Sequence, residues 1–230
     1  VEFAISAATV RRDLEALAAQ GRVQRVHGGV RSLTGQKQAG QESPALERES
    51  EQATEKRHIG EAGASLVQDG ETVFIGSGTT ALEAARALRH CKNLTVITNS
   101  LLVINALADL PQIEVIALGG QLRRSEMSLI GHTAEQALAD LRADKVIMGI
   151  RAIDPEVGLT NAYLPETMTD RAILKIGREI VLLADHTKFG RVAPAFVAPL
   201  TVIHTLVTDQ GTPAPFLDAA GALGIRVMTV

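Results

Sequence analysis

The feature that most constrains this chain is an alternation that runs through most of it. Short runs of β-branched and aliphatic residues are each followed by a small polar cluster and then by a segment with helical spacing. Strands are expected at Val73–Ile75, Leu94–Ser100, Ile113–Leu118, Lys145–Ile150, Glu179–Ala184, Val202–Thr208 and Ile225–Val230. Val73-Phe74-Ile75 is short, apolar and β-branched, as a strand buried on both faces would be, and Leu94–Ser100 reads as a second buried strand. Helices are expected between them, with Leu82, Ala85 and Leu88 on one face of the first. Others carry Leu102, Ile104, Leu107 and Leu110 before Pro111, then Ala134–Leu141 and Glu166–Gly177. A further helix from about Ala45 to Leu66-Val67, ended by Gly70, should dock through Ile59, Ala62, Gly63 and Leu66. The expected fold class is α/β, a parallel sheet with helices on both faces.

In such sheets ligands sit beyond the carboxyl ends of the strands. Polar clusters fall at those ends: Ser77–Thr80, Thr98–Ser100, Gly119–Gly120, Asp154 and Asp185–Lys188. The stretch Thr72–Leu88 is the most suggestive. A strand, then Gly76-Ser77-Gly78-Thr79-Thr80, then a helix N-terminus would aim backbone N–H groups and hydroxyls at one anion. No cation sits in that loop, so a phosphate would be held by amides and hydroxyls. The alternative is a plain βα turn in which Ser or Thr caps the helix.

The remaining composition excludes more than it selects. No apolar run reaches membrane-spanning length and no signal-peptide pattern opens the chain. The single Cys91 permits no internal disulfide and suits a reducing, cytoplasmic setting. The six histidines are far apart, without metal-ligand spacing, and His186 is the one nearest the expected ligand site, where it would cap or orient its loop. Gly76–Thr80 is not G-x-G-x-x-G, and the second strand ends in Thr98-Asn99 rather than a ribose-binding acid, which argues against a dinucleotide.

Net charge is −3, but residues 1–31 carry five arginines against Glu2, Asp13 and Glu15, which leaves +2 there and −5 elsewhere. Ser6 to Gly21 reads as a helix with Ser6 as N-cap, Val10, Leu14 and Leu17 as the buried stripe, and Gly21 as its stop. Ala8, Arg11, Arg12 and Glu15 fall on the opposite face, a pattern suited to a DNA major groove. Arg22–Val30 reads as a hairpin wing that brings Arg25 and His27 near phosphates. An ordinary surface helix followed by a turn fits the same periodicity. Ser32–Pro44 is polar, with Gly and Pro, and reads as a linker.

The run S-x-x-T-V-R-R-D-L-x-x-L-x-x-x-G-x-x-x-R-V-H-G-G-V over residues 6–30 resembles the DNA-binding signature of the DeoR family of bacterial transcriptional regulators. The resemblance continues in S-G-T-T, T-N-S, G-G-x-x-R, G-L-T and D-x-T-K-F-G. It implies a partial winged helix-turn-helix over residues 1–31, the linker 32–44, and an effector-binding domain over 45–230 similar in fold to ribose-5-phosphate isomerase. DNA-facing positions by this resemblance are Ser6, Thr9, Arg11, Arg12, Arg25 and His27. Ser77, Gly78, Thr79 and Thr80 would hold the phosphate of a phosphorylated sugar, and Thr98, Asn99 and Ser100 would line the sugar. Gly119 and Gly120 would allow backbone approach, and Asp154 and Glu166 would accept hydroxyls. Asp185 belongs to the D-x-T-K-F-G motif, whose Lys188 would supply the missing cation, with Arg123 as an additional contact.

Two departures from the family pattern stand out. Only Val1–Ile5 precede the signature, where the family has a helix and most of another, so the chain is expected to be N-terminally incomplete. Gly76 stands where members commonly have Asp. The function implied is a repressor of carbohydrate metabolism, not an enzyme and without a cofactor. Its partners would be operator DNA, a sugar-phosphate effector and further copies of itself, as a dimer or tetramer. A sugar-phosphate isomerase is the alternative on the same scaffold, but its acidic D-G-A-D-E loop and its Lys-Gly-rich loop are absent.

Overall fold

A computed structural model describes residues 14–16, 23–26, 29–32 and 44–230 of the chain. Contacts divide the chain into two units, Val1–Glu42 and Ser43–Val230. In the first, residues 14–16 are helical, and β1 (Val23–Val26) pairs antiparallel with β2 (Gly29–Ser32) as the expected hairpin. Ser32 thus ends a strand rather than opening the linker. Ser6, Thr9, Arg11, Arg12 and His27 lie outside the described residues, and of Arg25 only the strand it belongs to is described.

The second unit is built on seven parallel strands: β3 (Thr72–Ile75), β4 (Leu94–Thr98), β5 (Ile113–Ala117), β8 (Ala143–Gly149), β11 (Gly177–Leu183), β13 (Thr205–Thr208) and β14 (Arg226–Thr229). Their spatial order is β14-β13-β11-β8-β3-β4-β5. The chain therefore starts in the middle, builds outward to β5, then returns to the other side of β3. The strand order reverses between β3 and β8, which is where a doubly wound sheet opens a crevice at its carboxyl edge.

Alternation along the strands explains why both faces are covered. Val73, Ile75, Val96, Ile147, Val181, Leu183 and Val207 pack on one side with α2 (Ala53–Ala64), α3 (Thr79–Ala87) and α4 (Leu101–Leu107). Phe74, Ile97, Val146, Met148, Ile180, Leu182 and Leu206 pack on the other with α5 (His132–Ala139), α6 (Leu164–Ile176) and α7 (Ala214–Ala222). Successive side chains point to opposite faces, so a run without polar gaps fills two cores at once. Among the described residues no helix is long and apolar enough to cross a membrane.

Three departures from the sequence expectation matter. The segment from Ala45 is not one helix: α1 (Ala45–Arg48) stops, Gln52 takes a left-handed φ of 52°, and α2 restarts. Tertiary contacts pin α1, since the Ala45 amide donates to Ser125 O and Arg48 pairs with Glu126. Gly158–Thr160, the G-L-T motif, belongs to β10 (Gly158–Asn161), which joins β9 (Ala152–Asp154) and β12 (Ala195–Ala198) in an antiparallel sheet. At Gly158 a φ of 95° and a Cβ position only 2.5 Å from Ala198 O leave room for glycine alone. Last, β6 (Gln121–Arg123) and β7 (Ser128–Ile130) form a short hairpin after Gly119-Gly120, and α7 follows β13. These strands are too short for alternation to register in sequence.

Candidate functional site

The parallel register sets the carboxyl ends of β4, β3, β8 and β11 side by side. Thr98 pairs with Ile75, Ile75 with Ile147, and Gly149 with Leu183. Of the expected phosphate loop, Gly76 still belongs to the sheet: its amide donates to Ile147 O, and a Cβ there would stand 3.1 Å from Met148 Cβ. Ser77 and Gly78 turn out of the sheet at the crevice, and α3 begins at Thr79. Gly78 is the cap residue, with φ 103° and ψ 160°, a conformation that is essentially glycine's alone. No side chain caps α3, so neither Ser77 nor a threonine does what a plain capped turn would require. The first-turn amides of a helix have no partner within it, and here they lie at the carboxyl end of β3, beside the switch point of the sheet.

Around this loop the structure sorts the expected residues. Thr98 and Ser100 hold the end of β4 together. Thr98 Oγ1 donates to Ile75 O (2.6 Å) and accepts from the Ser100 amide, while Ser100 Oγ caps α4 by accepting from Val103. Both are buried, and their hydroxyls shape the strand end rather than present themselves to a ligand. Asn99 differs. Its Nδ2 donates to Leu129 O, but its buried Oδ1 has no hydrogen-bond partner among the described residues. A buried acceptor left open is costly unless something donates to it.

Asp154 makes hydrogen bonds within the fold. It sits at the end of β9, and its Oδ1 accepts from the amides of Glu156 and Val157 (3.0 and 2.9 Å), so it ties a turn in the small antiparallel sheet. Gly119 and Gly120 are exposed, and Gly120 (φ 142°) approaches Ile130 O so closely that a Cβ would stand 2.8 Å from it. That glycine serves the β6–β7 hairpin rather than a ligand's approach. Asp185 caps its own loop, accepting from the Thr187 amide and hydroxyl. His186 is held by Asp209 at 2.7 Å, which fits the orienting role expected of it. Lys188 follows on the same 3₁₀ turn, half-buried, with no carboxylate within ion-pair distance among the described residues.

A second cluster was only half visible in the sequence. Arg123, on β6, ion-pairs with the buried Glu166 at the start of α6, and its guanidinium stacks 4.8 Å from the Tyr163 ring centre. Asn161 Nδ2 then bridges two carboxylates, donating to Glu166 Oε2 (3.0 Å) and Asp170 Oδ2 (2.9 Å). Asp170 and Asn161 carried no sequence signal, because nothing marks i to i+9 across a strand–helix junction. Burial pushes the Asp170 carboxyl up to about 6, against the Asn161 hydrogen bond and the Arg123 charge that hold it down, with Glu126 adding to the rise.

A testable consequence follows for stability. Between pH ~4 and ~6 the folded state holds the Asp170 proton that the unfolded chain has released, so stability falls as pH rises through that window. Asp170→Asn keeps an acceptor for Asn161 without the charge. It should be more stable than the parent by roughly 1–3 kcal/mol at pH 7.5, an advantage that shrinks toward pH 4. Urea unfolding at the two pH values checks it, and parallel pH slopes for the two proteins would refute it.

Lys56 also escaped the sequence reading. It stands on α2 with 5% exposure and donates from Nζ to Arg48 O at 2.6 Å. Burial pushes its ammonium below the usual lysine range, opposed by Asp185 and reinforced by Lys188 and Arg48, with Glu51 pulling the other way. The only hint was its i, i+4, i+7 relation to Gly60 and Gly63 on the face that α2 buries.

Comparison with known proteins gives two family matches. Residues 51–210 match the DeoR C terminal sensor domain and residues 2–36 the DeoR-like helix-turn-helix domain. The chain is similar to the HTH-type transcriptional repressor CsqR of Escherichia coli (strain K12), 36% identical over 91% of this chain and 79% of that protein. It is also similar to the glycerol-3-phosphate regulon repressor of the same strain, 34% identical over 94% and 84% of the two chains. Among solved structures, ribose 5 phosphate isomerase A from Neisseria gonorrhoeae overlaps 58% of this chain and 52% of that one, at 18% identity and a TM-score of 0.44. That likeness is too partial to bear on activity.

Proposed function

The chain belongs to the DeoR family of helix-turn-helix transcriptional regulators, and from that premise we propose that it is a cytoplasmic repressor of carbohydrate-metabolism genes whose operator affinity is set by a phosphorylated sugar. The observation that carries the effector reading is the uncapped N-terminus of α3, opened by Gly78 at the switch point between β3 and β8. An anion there meets backbone N–H groups, the positive end of a helix and the hydroxyls of Ser77, Thr79 and Thr80. Lys188 supplies the neighbouring cation. The open Asn99 Oδ1 takes a hydroxyl, the one kind of partner that a sugar offers in several copies.

The chemistry favours sensing over turnover. Aldose–ketose isomerisation needs a carboxylate base free to take a proton. Of the candidates, Asp154 ties a turn, Asp185 caps its loop, and Glu166 is committed to Arg123 and Asn161. Regulation requires only that the effector bind one arrangement of the sensor unit better than another. Two operator half-sites require two reading heads, hence a homodimer or tetramer.

Operator binding by the full-length protein, measured with and without a panel of sugar phosphates, tests this. At least one of them is expected to change the affinity tenfold or more, in the range of ordinary allosteric coupling. A panel in which free sugars act as well as their phosphates would overturn the phosphate cradle.

A further inference from the structure

Resting on the reading that an anion occupies the end of β3, we propose that Lys56 is a further ligand of that anion and the group that reports it. With the cradle empty, its ammonium holds the carbonyl of Arg48; a bound anion draws it off that carbonyl and frees the end of α1.

The placement of α2 brings Lys56 there. Lys56, Gly60 and Gly63 lie on one face at i, i+4 and i+7. At Gly60 the helix lies so close on α3 that a Cβ would stand 2.6 Å from Glu83 Cβ and 2.7 Å from the Ala84 amide nitrogen. At Gly63 a Cβ would stand 2.7 Å from Leu183 Cδ2, near the carboxyl end of β11. One turn before Gly60 on the same face, Lys56 lies within electrostatic range of Asp185 and Lys188, in the loop that leaves β11. This is the edge of the sheet at which α3 begins.

What Lys56 has for a partner is poor for a buried cation. A buried ammonium ordinarily requires a carboxylate or several acceptors. Among the described residues it has one peptide oxygen, Arg48 O, and no ion pair, while Asp185 is engaged by Thr187. Two ammonium groups, Lys56 and Lys188, thus repel each other at the edge of the sheet where the first-turn amides of α3 also carry positive charge. A dianion relieves all three at once, which a neutral ligand does not.

The partner that Lys56 would release is not an isolated loop. Arg48 pairs with Glu126 at 2.5 Å, and the Ala45 amide donates to Ser125 O at 2.6 Å, so α1 is fixed to the turn of the β6–β7 hairpin. That hairpin carries Arg123 and, through it, Glu166. Lys56 therefore joins the rim of the cradle to the first helix of the second unit, which follows residues 33–43 in the chain.

The test uses the full chain with inorganic phosphate as probe. Hydrogen exchange of residues 45–52 is expected to rise severalfold on saturation with phosphate, a measurement that needs no variant. Lys56→Gln, which keeps an N–H donor but not the charge, should bind phosphate roughly tenfold to a hundredfold more weakly. Its exchange over residues 45–52 should not respond, whereas Lys56→Arg retains binding. If the parent binds phosphate, Gly78→Ala abolishes that binding, and Lys56→Gln and α1 exchange are both indifferent, the role of Lys56 is refuted while the cradle stands. If the parent binds no phosphate even at millimolar concentrations, cradle and inference fall together.

Discussion

Replacing Arg123 with methionine is expected to destabilise the second unit by about 3–5 kcal/mol near pH 7.5, the size typical of breaking a buried ion pair from one side. Arg123 and Glu166 side chains are 13% and 8% exposed, so water cannot take over the lost partner. Glu166 would be left sharing one Asn161 amide with Asp170, two carboxylates on a single donor. For a unit of this size the loss corresponds to a fall of about 10 °C in Tm. The sign of its pH dependence is fixed as well. Without the cation the Asp170 carboxyl binds its proton more readily in the fold, so the deficit should be largest above neutrality and should shrink as pH falls below ~6. A deficit under about 1 kcal/mol that does not vary with pH would mean that the pair is effectively solvated.

The second large effect is on ligand response. Gly78→Ala should leave the fold intact yet abolish any response to sugar phosphates, lowering phosphate affinity by roughly a hundredfold or more. A Cβ at residue 78 meets nothing within 4 Å, so no steric clash opposes it; the space it enters is the open side of the loop. The backbone, however, sits at φ 103° and ψ 160°, where alanine is strained by about 1–3 kcal/mol. The loop relieves that strain by rotating the peptides that point the α3 amides outward, or else the methyl group occupies the anion's place. Either way the cradle is lost and the sheet is not. Titration calorimetry with phosphate, together with a Tm within a few degrees of the parent, tests both halves. Undiminished binding would show that the anion, if any, lies elsewhere.

The two effects also separate the parts of this edge. Arg123 is an internal tie between the β6–β7 hairpin and α6, and its removal is felt as stability. Gly78 has no side chain to tie elements together, and its alteration is felt as binding. A residue expected from the G-G-x-x-R motif to touch a ligand thus turns out to neutralise the acid beside it. The acid, Glu166, was expected to accept sugar hydroxyls, and it accepts from Arg123 and Asn161 instead.

What the sequence determined by itself is the layered α/β sheet. The seven strands of the main sheet and the helices that follow β3, β4, β5 and β8 were legible, because strands buried on both faces are predominantly apolar and their helices must keep a 3.6-residue stripe, whereas α7 was not expected. Parallel pairing then put the polar clusters at one edge, since every connection returns the chain to the same side. The tertiary structure alone decided which polar groups at that edge remain available. Thr98 is engaged across the sheet by Ile75 O, whereas Ser100, Asp154 and Asp185 accept from groups only two or three residues further on once the chain turns there; contacts of α1 with the β6–β7 turn accompany the break at Gln52, and the packing of α2 buries Lys56. A linear pattern records which faces are apolar, but a polar side chain takes its role from the partner it meets, and the packing of α1, α2 and two short hairpins chose those partners.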